Sequence, residues 1–276
     1  MLDPVFAPIN RLYGTHAQAA LAGAHVAIVG VGGVGSWSVE AFARAGVGQL
    51  TLIDGDDICI SNSNRQLHAL AGQYGKAKVA VLAERVAAIN PNCRVNAIQE
   101  MLTIDSLERL LQRGYDFVLD ACDSLGVKVA LIAYCKRHKI KVLTVGAAGG
   151  RADASKIGIK DLSNTEQDKL LALVRMKLRD DFGFTRNPKR YFGVPAVFSL
   201  ENVRYPSPQG GVCFNRLEKT SAGAGKLDCD GGLGVAVWVT ASFGMQAAGE
   251  ICRRLIERAD PAHKSQSTAA SEPASS

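Results

Sequence analysis

No two cysteines in this chain stand in a C-x-x-C spacing. The seven cysteines are scattered over positions 59, 93, 122, 135, 213, 229 and 252. That excludes a zinc ribbon and a thioredoxin-type redox motif. An odd, dispersed set with no secretory signal peptide predicts reduced thiols and a cytoplasmic location. The chain also lacks G-K-[ST]. Its two Gly-Lys pairs, at Gly75 and Gly225, continue with Ala77 and Leu227, so a P-loop nucleotide site is excluded. Nor is there an apolar run of the roughly 20 residues that a membrane span needs. The nearest approach, Leu233 to Ala248, has about 16 residues and is rich in Gly, Ala, Ser and Thr; it predicts a buried helix. No internal repeat is visible.

What is present is ordinary for a soluble globular protein: 276 residues, 47% hydrophobic and 21% charged. This is room for one large α/β domain or two small ones. The net charge is +6, and residues 151–230 hold 14 Lys+Arg against 10 Asp+Glu. Four of the six excess positive charges therefore sit there. A basic surface suits an anionic polymer or a nucleotide, and it also serves solubility.

The most informative stretch is Val26-Ala-Ile-Val-Gly-Val-Gly-Gly-Val-Gly-Ser36. A buried-strand pattern runs into glycines at 30, 32 and 35, in G-x-G-x-x-G spacing, with an extra one at Gly33. Backbone N–H groups and the positive end of the following helix can there face a phosphate. The acidic residue expected about 20 positions on is Asp54, at the end of Leu50-Thr-Leu-Ile. Apolar runs at 25–30, 49–54, 94–99, 116–121 and 141–146 predict strands. Helical periodicity predicts helices over 33–46, 76–90, 103–113 and 125–139. The alternation implies a doubly wound, mostly parallel Rossmann-like α/β sheet. Past Gly150, strands at 155–162 and 196–206 with a charged helix near 164–181 predict antiparallel additions in the C-terminal half. Residues 1–258 read as one ATP-binding α/β domain, and the Ala/Ser/Pro-rich 259–276 as a disordered tail.

Ligands of such a sheet sit at the carboxyl ends of strands. The glycine turn, Asp54 and Asp120/Asp123 therefore point at one crevice, with Arg65 and Lys78 as positive charge beside it. A triphosphate, which needs Arg/Lys and usually Mg2+, suits that set better than a nicotinamide. Asp120 reads equally as a residue that orients the loop. Cys122 and Cys135, in apolar runs, read as structural.

Gly30-Val-Gly-Gly-Val-Gly35, Asp54, Asn62-x-x-Arg65-Gln66, Gly75-x-x-Lys78 and Asp120-x-x-Asp123 resemble the ubiquitin-activating-like adenylyltransferases. Those are five ordered elements over about 95 residues. Within that superfamily, Asn64-Arg-Gln-x-His68-Ala, Ala130-Leu-Ile-Ala-Tyr-Cys135, Gly146-Ala-Ala-Gly-Gly150 and Leu227-Asp-Cys229 are similar to the tRNA threonylcarbamoyladenosine dehydratases. That similarity runs from about Arg11 to Arg254. It implies an ATP-dependent enzyme that adenylates the threonyl carboxylate of threonylcarbamoyladenosine in tRNA and closes it into a ring. By the same resemblance Gly30, Gly32, Gly33, Gly35, Asp54, Asp56, Asn62, Arg65 and Lys78 bind the nucleotide. Asp54 takes the ribose hydroxyls, Arg65 and Lys78 act on the phosphates, and Asp123 holds Mg2+. A K+ or Na+ ion at Gly146–Gly150, a homodimer, and cysteine-desulfurase or sulfur-acceptor partners are further expectations. Arg11 is a candidate for reaching a neighbouring protomer's ATP.

The chain departs from its superfamily in lacking zinc cysteines and in carrying Ser124 where Asn is frequent. The rival reading is an adenylyltransferase or sulfurtransferase acting on the C-terminus of a small sulfur-carrier protein. Cys229 is the candidate thiol for such chemistry, although Asp228 and Asp230 would blunt its thiolate. The loop Arg186-Asn-Pro-Lys189-Arg190-Tyr-Phe192 pairs cations with aromatic rings, as RNA contact uses. A solvated surface loop has the same composition.

Overall fold

Short apolar runs rich in β-branched residues build the centre of the molecule. They form β1 (His25–Val29), β2 (Gln49–Ile53), β3 (Arg94–Ile98), β4 (Phe117–Asp120) and β5 (Val142–Val145). Two more strands, β6 (Ile157–Asp161) and β7 (Pro195–Ser199), complete a seven-stranded sheet of order β3-β2-β1-β4-β5-β7-β6. All neighbours are parallel except β6, which lies antiparallel to β7 at the edge. This computed structural model describes residues 3–112, 114–207, 210–214 and 233–260. Cys229 and its flanking aspartates lie outside the described residues, as does the predicted tail from 261 onward.

A parallel sheet must be covered on both faces, and helices do this. On one face α3 (Gly35–Ala45), α4 (Lys78–Ile89) and α8 (Val237–Ala259) place Phe42, Leu82, Phe243 and Ile251 over Ile28, Leu50 and Leu119. On the other, α5 (Leu107–Leu111), α6 (Leu125–Arg137) and α7 (Lys169–Phe182) place Leu110, Ile132, Leu171 and Leu178 over Ala27, Val29 and Val118. Two short helices, α1 (Ala7–Tyr13) and α2 (Ala17–Ala22), precede β1. No helix among the described residues is long and apolar enough to cross a membrane.

Three elements differ from the sequence expectation, each through side-chain hydrogen bonds. The helix expected over 103–113 is only α5, because Thr103 and Ser106 close a turn ahead of it. The Thr103 N–H donates to Ser106 Oγ at 2.9 Å and the Ser106 N–H to Thr103 Oγ1 at 3.2 Å. The strand expected over 196–206 stops at Ser199. Glu201 there accepts from the Ala152 and Asp153 N–H groups, both at 2.8 Å, and pulls the chain out of the sheet. Tyr205–Pro206 then pairs antiparallel with Val212–Cys213. The charged helix begins at Lys169, where the Asp168 carboxylate caps the Leu171 N–H at 2.9 Å, as an N-cap acid does.

The chain leaves β1 toward β2 and β3 on one side and returns to β4 on the other. β1 and β4 stay paired to their last residues, but the connections leaving them run to opposite faces, into α3 and α6, and that switch point is where a doubly wound sheet holds its ligand.

Candidate active site

The glycine turn divides into two functions. Gly30 ends β1 at φ +84°, the left-handed region that favours glycine. A Cβ on Gly35 would stand 1.9 Å from the Gly30 carbonyl oxygen. These two glycines exist so that the strand can turn into α3. Gly32 and Gly33 meet no backbone. A Cβ there would face only the Gln66 amide at 3.6 Å, or the Arg65 stem at 3.4 Å and Thr240. Their bare backbone is left uncrowded by neighbouring main chain.

Asp54, buried at the end of β2, holds this turn in place. Its Oδ2 accepts from the Val31 N–H at 2.8 Å and its Oδ1 from the Asp56 N–H at 2.9 Å. A carboxylate has about four acceptor positions, so two remain for ribose hydroxyls. Asp56, also expected at the nucleotide, is exposed and paired. Its carboxylate accepts from Lys78 Nζ at 2.6 Å. Lys78 is buried at the first turn of α4, while Lys76 is exposed. Asn62 is buried as well, and its Oδ1 accepts from the Cys59 N–H at 3.0 Å to close the turn that carries Arg65. The Arg65 guanidinium donates to the Ser61 carbonyl at 2.7 Å and to Asn64 Oδ1 at 2.9 Å. Both partners are exposed, and the stem lies over Gly33.

The two aspartates after β4 take opposite roles. Asp120 is fully buried. It accepts from Lys128 Nζ at 2.9 Å, from Thr144 Oγ1 at 2.6 Å and from the Cys122 thiol at 3.0 Å. Burial alone would lower the Lys128 pKa, but Asp120, with Cys122 and Asp168 behind it, outweighs burial and the net shift is upward. Asp123 is exposed, three residues on, with no hydrogen bond or ion pair among the described residues. A free carboxylate at this strand end fits a metal ion whose other ligands are phosphate and water. The described residues contain no group of three acidic, His or Cys side chains that could hold a metal unaided.

Several partners went unassigned from sequence. Lys128 is fully buried, and its signal was a lysine inside the apolar run Val127–Ala133. Asp168 reaches the Gly146–Gly150 turn, accepting from the Ala147 N–H at 2.9 Å. Gln66 and His68 are buried beside the glycine turn and Lys78. Gln66 Oε1 and both His68 ring nitrogens have no hydrogen-bond partner. Burial first, and the Lys78 charge second, push the His68 pKa down to about 4, so the ring is neutral near pH 7. Burial holds the Cys122 thiol well above its ordinary range and pushes Cys135 up to about 12, with the Asp120 charge a second cause for each. Neither is a thiolate nucleophile.

Arg11 is exposed on α1. The loop with Arg186, Lys189 and Arg190 lies away from the crevice. It enters β7 at the amino end of the parallel strands, and Arg186 is paired with Asp180.

A doubly wound sheet with this glycine turn, strand-end carboxylates and buried lysine defines a nucleotide-binding α/β protein, and the chain belongs to the ThiF family, whose model matches residues 7–273. Two relatives stand near it. The tRNA threonylcarbamoyladenosine dehydratase of Escherichia coli is 45% identical, over 92% of this chain and 94% of its own. That of Haemophilus influenzae is 47% identical over the same shares. The structure of the Escherichia coli dehydratase in complex with ATP superposes with a TM-score of 0.82 at 41% identity, covering 94% of this chain and 98% of its own.

Proposed function

We propose that this protein uses ATP to dehydrate threonylcarbamoyladenosine in tRNA to its cyclic form. The observation that carries the reading is the near full-length similarity to dehydratases, one of them solved with ATP. The crevice supports it: open glycine backbone, a buried lysine, an arginine and an unpaired carboxylate stand around one switch point.

The chemistry needs two displacements. A carboxylate oxygen of the threonyl group attacks the α-phosphorus of ATP, and pyrophosphate leaves. A nitrogen of the same modification then attacks the acyl carbon and loses its proton, and AMP departs carrying one carboxylate oxygen, so that the product is lighter by the equivalent of one water. The protein's task is to orient and to stabilise charge. The backbone at Gly32 and Gly33 admits the phosphates. Asp54 keeps that backbone in register and accepts from the ribose. Lys78, held by Asp56, neutralises charge at the α-phosphorus. Asp123 would hold Mg2+, which would supply positive charge against the phosphates. The Gly146–Gly150 turn beside Asp168 is assigned a K+ or Na+ ion. A homodimer in the cytoplasm completes the reading.

Mass spectrometry of nucleosides tests it. Modified tRNA incubated with the protein and ATP should yield threonylcarbamoyladenosine lighter by one water. Pyrophosphate release that ignores tRNA, and needs a carrier protein ending in Gly-Gly, would favour the sulfur-carrier rival.

Arg65→Ala should raise the apparent KM for ATP. Arg65 must exchange its exposed partners for phosphate, and a charge-assisted bond of about 1.5–3 kcal/mol is then lost. That corresponds to roughly tenfold or more. ATP titrations of pyrophosphate release measure it. An unchanged KM would leave Arg65 a purely structural residue.

A further inference from the structure

A second concavity lies at the opposite end of the molecule from the crevice. It is a cleft of about 440 Å³ between the C-terminal ends of α6 and α7 and the loop entering β7. Lys136, Arg137 and Arg190 line it, with Phe182, Phe184 and Tyr191. None of the three cations has an ion-pair partner among the described residues. Cations at the end of α6 complement the helix dipole, but Arg190 comes from another element and needs a different account. The rings are set in position: Phe184 packs edge-on against Phe192 at 4.9 Å, and Arg179 lies over the Phe192 ring at 5.4 Å. Tyr191 is 69% exposed and Phe182 41%.

We propose that this cleft is a second RNA-binding site, which holds a nucleotide of the tRNA body by stacking its base and pairing its phosphates with Lys136, Arg137 and Arg190. The proposal rests on the tRNA reading above. Unpaired cations around exposed aromatic faces are what a single-stranded or splayed nucleotide engages. The position fits a long substrate. α6 starts beside Asp123 and its 13 residues end at the cleft, a span of about 20 Å at the α-helical rise. A tRNA reaches both points at once, whereas a nucleotide substrate could not. In this proposal Lys136 and Arg137 join Arg190 as the cations that matter on this face, while Arg186 is already paired to Asp180.

The test uses the whole protein and modified tRNA. The triple variant Lys136→Ala/Arg137→Ala/Arg190→Ala should weaken tRNA binding about tenfold or more and reduce its salt dependence by about two phosphate contacts or more. Tyr191→Ala should weaken it about fivefold to tenfold through lost stacking. The rate at saturating tRNA should stay at the wild-type value, because the cleft touches no reacting atom. Arg186→Ala should change binding less than twofold. Wild-type binding and salt slope in the triple variant would overturn the proposal. So would an altered oligomeric state with unaltered tRNA affinity, which would make the face a contact between copies. If wild-type protein leaves tRNA unmodified, the proposed activity fails. If it modifies tRNA while the variants bind normally, only the cleft does.

Discussion

Asp123→Ala should abolish ATP-dependent turnover and leave the fold intact. A metal held by this carboxylate would stabilise developing charge by several kcal/mol, and each 1.36 kcal/mol is tenfold in rate. A loss of about a thousandfold or more in kcat is therefore expected. The protein should hardly notice the change otherwise, since the side chain is exposed and carries no hydrogen bond or ion pair among the described residues. Substitutions of that kind shift stability by about 0.5 kcal/mol or less. Pyrophosphate release at saturating Mg-ATP and tRNA, run beside a thermal melt, separates the two. Turnover within tenfold of wild type would remove Asp123 from the metal. A collapsed melt would show a structural role that its exposure argues against.

Much of the frame was legible because period and punctuation agree there. The five apolar runs from 25 to 146 became β1 to β5 within a residue or two. All but the edge strand β3 are buried nearly throughout, and glycine and Asn90-Pro91 mark the helix ends. Legibility failed where a side chain overrode the pattern. Thr103 and Ser106 shortened a helix, and Glu201 bent a strand away, through bonds to Ala152 and Asp153 nearly fifty positions back. The crevice divides in the same way. The glycine turn and its strand-end carboxylates follow from topology alone. The Asp56–Lys78 pair does not, because its partners stand 22 positions apart and no period links them. Nor does the cleft, whose walls are three elements separated in sequence by up to 59 positions, from Ala133 to Phe192.

Asp120→Ala should unfold far more easily than any substitution at Asp123. It leaves the Lys128 ammonium, with a side-chain exposure of 0%, facing only Thr144. Breaking a buried pair on one side costs about 3–5 kcal/mol, a large share of the roughly 5–15 kcal/mol that holds a domain together. Urea titration should show the midpoint falling by that equivalent. Lys128→Met should cost less, because the stem is replaced by apolar volume and Asp120 keeps Thr144 and Cys122 as donors. The double change Asp120→Leu/Lys128→Met should recover most of the lost stability, since apolar replacement of a whole buried pair is often neutral or better. Its turnover should nevertheless stay low. The pair ties the end of β4 to α6 and β5, so it fixes the loop that carries Asp123, the carboxylate proposed to hold the metal. A stable double variant with full activity would show that the pair serves the core alone. A stable double variant that binds ATP but turns over slowly would show that the buried charges exist to aim a carboxylate three residues away.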